Sequence, residues 1–335
     1  MPRVTLADVA ARVGVSAKTV SNVVNGTGWV GEQTRERILT AVRELGYRPN
    51  AAARQLRSGT AGMLGLAMPD LREPYFAEFA SRFVSSAQDR GITVLVTQTG
   101  GRRDSEIAIV EGEGIPAVDG LVVSPLELTA ADLAARRSQT PLVLIGEHGS
   151  SIAQPPATHV GVDNVAAADA ATSFLLARGR SRIAALGVQD AGSTATSRLR
   201  FEGYKRALSS AGIPLDTSLL AHVATFNRAE GYRAANELVA SGVPFDGLFC
   251  FNDTLAFGAL YSLGMHGLQV PQDVDVIGFD DIDEGRFSIP PFSTVNPGVE
   301  RASELILDLL SSPAAVTGEN HVVPAEIVDR TELPR

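Results

Sequence analysis

A single cysteine and two lysines are all that 335 residues supply of those types, and each scarcity excludes something. Cys250 alone rules out an internal disulfide framework and fits a reducing cytoplasm. Its setting, Leu248-Phe249-Cys250-Phe251, reads as a buried strand, so the thiol is expected to be structural rather than reactive. No apolar run approaches the ~20 residues that span a bilayer. The N-terminus opens on a helix cue, not on the charged-then-apolar pattern of an export signal. The two lysines exclude a phosphate-binding loop, which needs glycine before lysine: Lys18 follows Ala17 and Lys205 follows Tyr204. Neither Gly-x-Ser-x-Gly nor His-Glu-x-x-His occurs, and His148, His159, His222, His266 and His321 are scattered without metal-ligand spacing. No catalytic residue, metal or cofactor is therefore expected. The acidic cluster Asp280-Asp281-x-Asp283-Glu284 stays open between a solvated loop after a strand and a binding role.

What the chain does carry begins at Thr5. Thr5 and Asp8 stand at capping-box spacing and open a helix at about Leu6, with Leu6, Val9, Ala10 and Val13 on one face. Gly14 supplies a tight turn, and Ser16 is the natural cap of a second helix backed by Val20, Val23 and Val24. The other face of that helix holds Ala17, Lys18, Ser21, Asn22 and Asn25, all small or hydrogen-bonding. Two short helices on a glycine turn, the second polar along one side, make a helix-turn-helix, whose second helix enters the DNA major groove. A third helix over Glu32–Leu45 is expected to turn Ile38, Leu39, Val42 and Leu45 inward and Arg35, Arg37 and Arg43 outward. Residues 1–60 hold nine Arg/Lys against four Asp/Glu, a net +5, whereas the whole chain is −9 and the remainder therefore −14. An acidic protein with one basic end is the asymmetry expected when that end meets nucleic acid.

Beyond Ser58–Gly62, strand-like segments alternate with amphipathic helical ones. The strands are read at Met63–Met68, Thr93–Thr97, Leu121–Ser124, Leu142–Ile145, Val160–Asp163, Ile183–Val188, Leu248–Phe251 and Val274–Phe279. Helices are read at Tyr75–Arg90, Ala166–Arg178, Arg200–Ala211, Glu230–Ser241 and Thr254–Met265, with Gly91, Gly179, Gly212, Gly242 and Gly267 where helices should stop. Such alternation indicates parallel sheets covered by helices on both faces, and its occurrence twice over suggests two similar α/β lobes.

Thr5-Leu6-x-Asp8-Val9-Ala10, Val15-Ser16-x-x-Thr19-Val20-Ser21-x-Val23-x-Asn25, Thr34-Arg35 and Tyr47-x-Pro49-Asn50 through Leu56 closely resemble the lactose-repressor (LacI/GalR) family of bacterial transcription regulators. The resemblance implies a helix-turn-helix headpiece over 1–49, a hinge helix and linker over 50–60, and an effector-binding and dimerisation domain over 61–335. It further implies that this last domain has the two-lobed periplasmic-binding-protein type I fold, with crossings near 160, 290 and 322 and an effector between the lobes.

In the headpiece, Ala17, Lys18 and Asn22 are expected at base edges, since lysine can donate to guanine and asparagine can pair with adenine. Ser16, Thr19, Ser21 and Asn25 are expected on phosphates, and Thr5 beside them. Ala51, Ala52 and Ala53 favour helix and Asn50 is a good cap, but two turns are marginal alone, so the hinge is expected to order only as a pair over DNA. Asn50, Ala53 and Leu56 are then DNA contacts; the resemblance makes Leu56 a minor-groove wedge that favours a flexible step, a central CG in a pseudo-palindromic operator. In the large domain Asp280 and Asn252 end strands, where open α/β sheets bind ligands. Aligned on Arg200-x-x-Gly203-Tyr204, Phe251-Asn252-Asp253 and Val276-Ile-Gly-Phe-Asp280, the residues Thr196, Arg200, Phe226, Asn252 and Asp280 resemble the family's effector contacts. Asp70, Tyr75 and Phe76 follow the first strand as further candidates, while Phe226 could instead be core, and Arg200 and Asp280 could pair across an empty cleft. Where the family often has an acid, this chain has Gly146, with Glu147 beside it.

The expected function is a homodimeric, cytoplasmic, nucleoid-associated repressor of a sugar-utilisation operon, relieved by a small molecule of sugar or nucleoside type. The alternative is a regulator whose DNA binding is promoted by a corepressor ligand or a partner protein. A periplasmic sugar carrier of the same fold would need an export signal and no basic headpiece. A lac-type tetramer would need an extra C-terminal helix, and five residues follow Arg330, so a dimer is expected.

Overall fold

The computed structural model describes residues 4–47, 61–190 and 194–331. The chain divides into two compact units at Ala61 and Gly62. The first is three helices, α1 (Leu6–Val13), α2 (Ala17–Asn25) and α3 (Glu32–Leu45). Their core is Val9, Ala10, Val13, Val20, Val23, Ile38 and Ala41, with Leu6, Val24, Val42 and Leu45 at its margin. Leu39 is not part of it and stands 38% exposed. At 100° per residue a helix that buries positions 38, 41, 42 and 45 must turn position 39 away, which corrects the inward placement read from the sequence. Arg37 does more than face solvent: its Nη2 donates to Val13 O at 2.7 Å, tying α3 to the end of α1.

The second unit has two lobes. In the first, β1 (Met63–Met68), β2 (Thr93–Gln98), β3 (Gly120–Val123), β4 (Leu142–Ile145), β5 (Ala157–Val162) and β11 (Asn320–Val323) form a parallel sheet in the order β11-β5-β4-β3-β1-β2. The two-residue period of the strands sorts its side chains. Leu64, Leu66, Met68, Val122, Val143 and Ile145 pack on α4 (Pro74–Asp89) and α12 (Val299–Ser311) through Phe79, Phe83, Ile306 and Leu310. Ala67, Leu121, Val123, Leu142 and Leu144 pack on the other side against Ile109, Val110 and Leu133 of α5 (Arg103–Glu111) and α6 (Ala130–Ala135). After β4 comes the short helix α7 (Gly146–Ile152), which sequence periodicity did not reveal.

The second lobe holds α8 (Asn164–Ala177), β6 (Ile183–Val188), α9 (Ala195–Ser210), β7 (Leu220–His222), α10 (Arg228–Ala240), β8 (Gly247–Cys250), α11 (Asp253–Met265) and β9 (Asp275–Ile277), with a parallel sheet in the order β7-β6-β8-β9. A two-stranded antiparallel ribbon joins β10 (Thr294–Asn296) to β12 (Glu326–Val328). Val295 and Ile327 of the ribbon pack on the second core, whereas α12 and β11, between them in sequence, belong to the first. The chain therefore passes between lobes after β5, after β10 and after β11. Helix pairing in this lobe is close enough to require glycine: a Cβ on Gly203 would lie 2.4 Å from Val165 O, and one on Gly258 would lie 2.1 Å from Arg228 O. Helix α9 starts at Ala195, not at Arg200 as the sequence suggested, because Thr194 caps it by accepting from Ser197 N at 3.2 Å. Arg200 thus sits in mid-helix, facing inward. Cys250 is fully buried in β8, and burial pushes its thiol up, out of reactive range.

Candidate DNA-reading face and ligand cleft

In the first unit the capping residues fix where α2 points. Thr5 Oγ1 accepts from Asp8 N at 3.3 Å while Asp8 accepts from Thr5 N at 2.7 Å, and this backbone bond draws the Asp8 carboxyl below its ordinary value. Ser16 Oγ accepts from Thr19 N at 3.1 Å and lies 2.8 Å from Thr19 Oγ1. Ala17 and Lys18 are exposed, Ser21 and Asn22 are half-buried, and Val20 and Val23 anchor the opposite face. Gly28, at φ +71°, closes the following turn onto this helix: a Cβ there would lie 2.9 Å from Asn22 Nδ2. The same turn holds Trp29, 92% exposed, a residue the sequence reading passed over although it is the chain's one tryptophan in a glycine-flanked turn. Asn25 ends α2. Asn50, Ala53 and Leu56 lie outside the described residues.

In the second unit the polar groups converge on Arg200. Arg200 is 4% exposed, and its guanidinium lies over the Phe279 ring at 3.5 Å. Nε donates to Asn164 Oδ1 at 2.9 Å, Nη1 to Phe251 O, and Nη2 to Glu147 Oε1 at 3.1 Å, with Asp280 Oδ1 3.6 Å from Nη2. Asn164, Phe251, Phe279 and Asp280 belong to the second lobe, and Glu147 to the first. The ion pair that crosses the cleft is therefore Arg200–Glu147; the Arg200–Asp280 pair lies within one lobe, which corrects the cross-cleft pairing entertained from sequence. Burial drives the Asp280 carboxyl well above its ordinary value, Arg200 offsets this in part, and Asp253, Glu147 and Glu73 add to it. Tyr75 at the start of α4 is half-buried near the same groups, and desolvation raises its hydroxyl as well.

The loop after β9 is held in a conformation that ordinary residues avoid. Asp280 has φ +113° and Asp281 φ +54°. Asp280 N donates to Val295 O at 2.9 Å, Arg330 pairs with Asp281, and Asn296 Nδ2 donates to Asp281 Oδ2 at 2.7 Å. Asp253 sits behind this loop. Its Oδ1 accepts from Thr294 Oγ1 at 2.6 Å and its Oδ2 from Ile282 N at 3.0 Å, and burial raises its carboxyl to about 7. The acidic cluster thus divides: the side chains of Asp280 and Asp281 are largely covered and pair with Arg200 and Arg330, whereas Asp283 and Glu284 are exposed.

Among the remaining candidates, Thr196 lies one helical turn before Arg200 on the same face of α9, half-buried. Asn252 caps α11, accepting from Leu255 N at 2.8 Å, at the end of β8. Phe226 is half-buried against the second lobe's core, and Phe76 meets Tyr75 edge-on at 5.4 Å against the first. Asp70 is not brought to Arg200: its carboxylate is held by Arg72, 2.6 Å from Nη2. Asn164, Phe279 and Glu147 complete the cluster and were not singled out as contacts beforehand. The strand-end rule points to Asn164, which follows Asp163 at the end of β5. Where the lobes meet, Tyr75, Phe79, Gly146, Glu147, Asn164 and Val299 enclose about 30 Å³, room for about one water. Among the described residues no group of three or more His, Cys, Asp or Glu is arranged to hold a metal, and no helix is long and apolar enough to cross a membrane.

Residues 5–50 match the family described as bacterial regulatory proteins, lacI family, and residues 172–331 match the periplasmic binding protein-like domain. The HTH-type transcriptional repressor PurR of Erwinia tasmaniensis is 32% identical over 334 residues, 98% of this chain and 96% of that one. The HTH-type transcriptional regulator DegA of Bacillus subtilis is 30% identical over 303 residues, 88% and 86% of the two chains. The structure of the Lac repressor bound to ONPG in its repressed state superposes with a TM-score of 0.83 at 26% identity, covering 99% of this chain and 100% of that one. These relatives are named as DNA-binding regulators rather than enzymes, and the chain belongs to the LacI family of bacterial transcriptional regulators.

Proposed function

We propose that the protein is a homodimeric repressor whose hold on a two-fold symmetric operator is set by an uncharged sugar-, nucleoside- or nucleobase-type molecule bound around Arg200. The observation that carries this reading is the convergence of acceptors from both lobes on one buried guanidinium beside Tyr75 and Asp280. Such a set can grip vicinal hydroxyls or the edge of a heterocycle, and it spans the two bodies whose separation a ligand would change. Between α4 and the loop after β9, Tyr75, Glu78, Asp280, Asp281 and Asn296 line a cleft of about 580 Å³, room enough for a sugar or a nucleoside beside Asp280. In this reading Lys18 and Asn22 read base edges, and Ser16, Thr19 and Ser21 set the register on phosphates. Trp29 touches the sugar–phosphate backbone flanking the same groove. Apolar side chains exposed on the second lobe, Tyr261 at 64%, Met265 at 67%, Phe287 at 77% and Ile289 at 96%, support a face for a second copy. Selection of operators from random DNA by the purified protein tests the proposal. Enrichment of a palindrome with two equal half-sites is the expected result; enrichment of no sequence, or of a single asymmetric site, would overturn it.

A further inference from the structure

Arg200 has a built-in anion. We infer that Glu147 is a specificity-determining residue that occupies, from within the chain, the place an anionic group of an effector would take on Arg200, so the cleft admits uncharged ligands and turns away phosphorylated or carboxylated ones. The inference rests on the reading of the cleft as the effector site.

The geometry around Glu147 is specific to that task. Gly146, at φ +78°, turns the chain sharply at the end of β4, a conformation open to glycine. The Gly146 carbonyl is held by His159 Nε2 at 2.9 Å, from the neighbouring strand β5. His159 is itself 4% exposed, and Gly149 and Gly161 leave it room: a Cβ on either would stand 3.1 Å and 2.7 Å from the ring. Burial draws the His159 imidazole below its ordinary value, which keeps it neutral and able to donate one N–H to that carbonyl. Glu147 is therefore aimed by a buried support, and its Oε1 reaches Arg200 Nη2 at 3.1 Å, nearer than the Asp280 oxygen at 3.6 Å. With Asn164 and Phe251 O on its other nitrogens, the guanidinium has its charge matched before any ligand arrives. A second anion would have to share the single Arg200 cation with Glu147, and like charges in a water-poor site exclude one another. A neutral hydroxyl or ring nitrogen can join the network without that repulsion.

Removing the Glu147 charge should leave Arg200 unpaired and receptive. Inorganic phosphate, titrated by calorimetry at fixed ionic strength into the full-length protein, is the probe. Glu147→Gln and Glu147→Ala are each expected to bind phosphate at least ~10-fold more tightly than the wild type, and Glu147→Asp, which keeps the charge, is not. The gain should vanish when Arg200→Gln is added to Glu147→Gln, because the cation that would hold the phosphate is then gone. Equal phosphate affinity in wild type and both neutral variants overturns the inference, as does a gain that persists without Arg200. The two neutral variants together guard against one of them failing to fold. The gain concerns the Glu147–Arg200 pair alone, so it would survive even if the cleft proved not to govern operator binding, and the two failures are distinguishable.

Discussion

The buried carboxyl of Asp253 makes stability depend on pH in a calculable direction. Its ordinary value is 3.8 and its value in the folded protein about 7. Between those limits the native state holds a proton that the unfolded chain has lost, so stability falls as pH rises and the loss is complete above about 7. The gap corresponds to roughly 4 kcal/mol at most, since a tenfold change in proton affinity is about 1.4 kcal/mol. Asp253→Asn should remove this dependence without breaking the site. Once protonated, the aspartate can still accept from Ile282 N and can reverse its bond to Thr294, whose hydroxyl then accepts in place of donating; an asparagine can do the same with its oxygen and amide nitrogen. Urea midpoints of wild type and variant, measured from pH 4.5 to pH 8, check this. The wild type is expected to weaken relative to the variant by about 2–4 kcal/mol across that range. Parallel curves would refute the assignment of a shared proton to Asp253, and so would a variant that weakens faster than wild type.

Gly258→Ala should destabilise the second lobe by about 1–3 kcal/mol or more, because its Cβ would press on Arg228 O at 2.1 Å and Tyr232 N at 2.5 Å; a thermal melt unchanged from wild type would contradict the α10–α11 packing. Thr5→Ala should cost the headpiece about 1 kcal/mol by removing the cap on Asp8 N, measurable as lower helicity on heating with no change in the effector domain's transition. Lys18→Ala should relax base preference at one position per half-site by about 1–3 kcal/mol, read on a panel of operator variants; a uniform loss with a shallower salt slope would place Lys18 on phosphate instead. Trp29, alone of its kind and 92% exposed, should change its emission when operator is added, and unchanged emission at saturation would remove it from the interface.

Much of this architecture is written in local signals. The Thr5–Asp8 box, the Ser16 cap and the Glu32–Leu45 helix are visible because capping chemistry and the 3.6-residue period act within a few positions. Strands β1, β4 and β6 show as short apolar runs, since both sheet faces are covered. What depends on the meeting of distant segments is not visible. Nothing local places Glu147 against Arg200, 53 residues away, and the short helix after β4 lacks a repeating apolar face. The left-handed backbone at Asp280 follows from the bonds of its loop to β10, not from its own sequence. Arg200 and Asp280 came from resemblance to a family, and the structure adds why they sit together: mid-helix on α9 and just past β9, both facing the same seam.

On the function proposed above, a molecule in the Arg200 cleft changes the affinity for DNA bound at α2. The direct measurement titrates a labelled operator, chosen by selection, with and without the uncharged sugar, nucleoside or nucleobase that most raises the melting temperature of the wild type. A ligand-dependent shift in operator affinity of about 5- to 150-fold is expected in the wild type and none in Asp280→Asn, whose operator affinity without ligand stays at the wild-type level. A cleft ligand that leaves wild-type operator affinity unchanged, or an equal shift in Asp280→Asn, would contradict it.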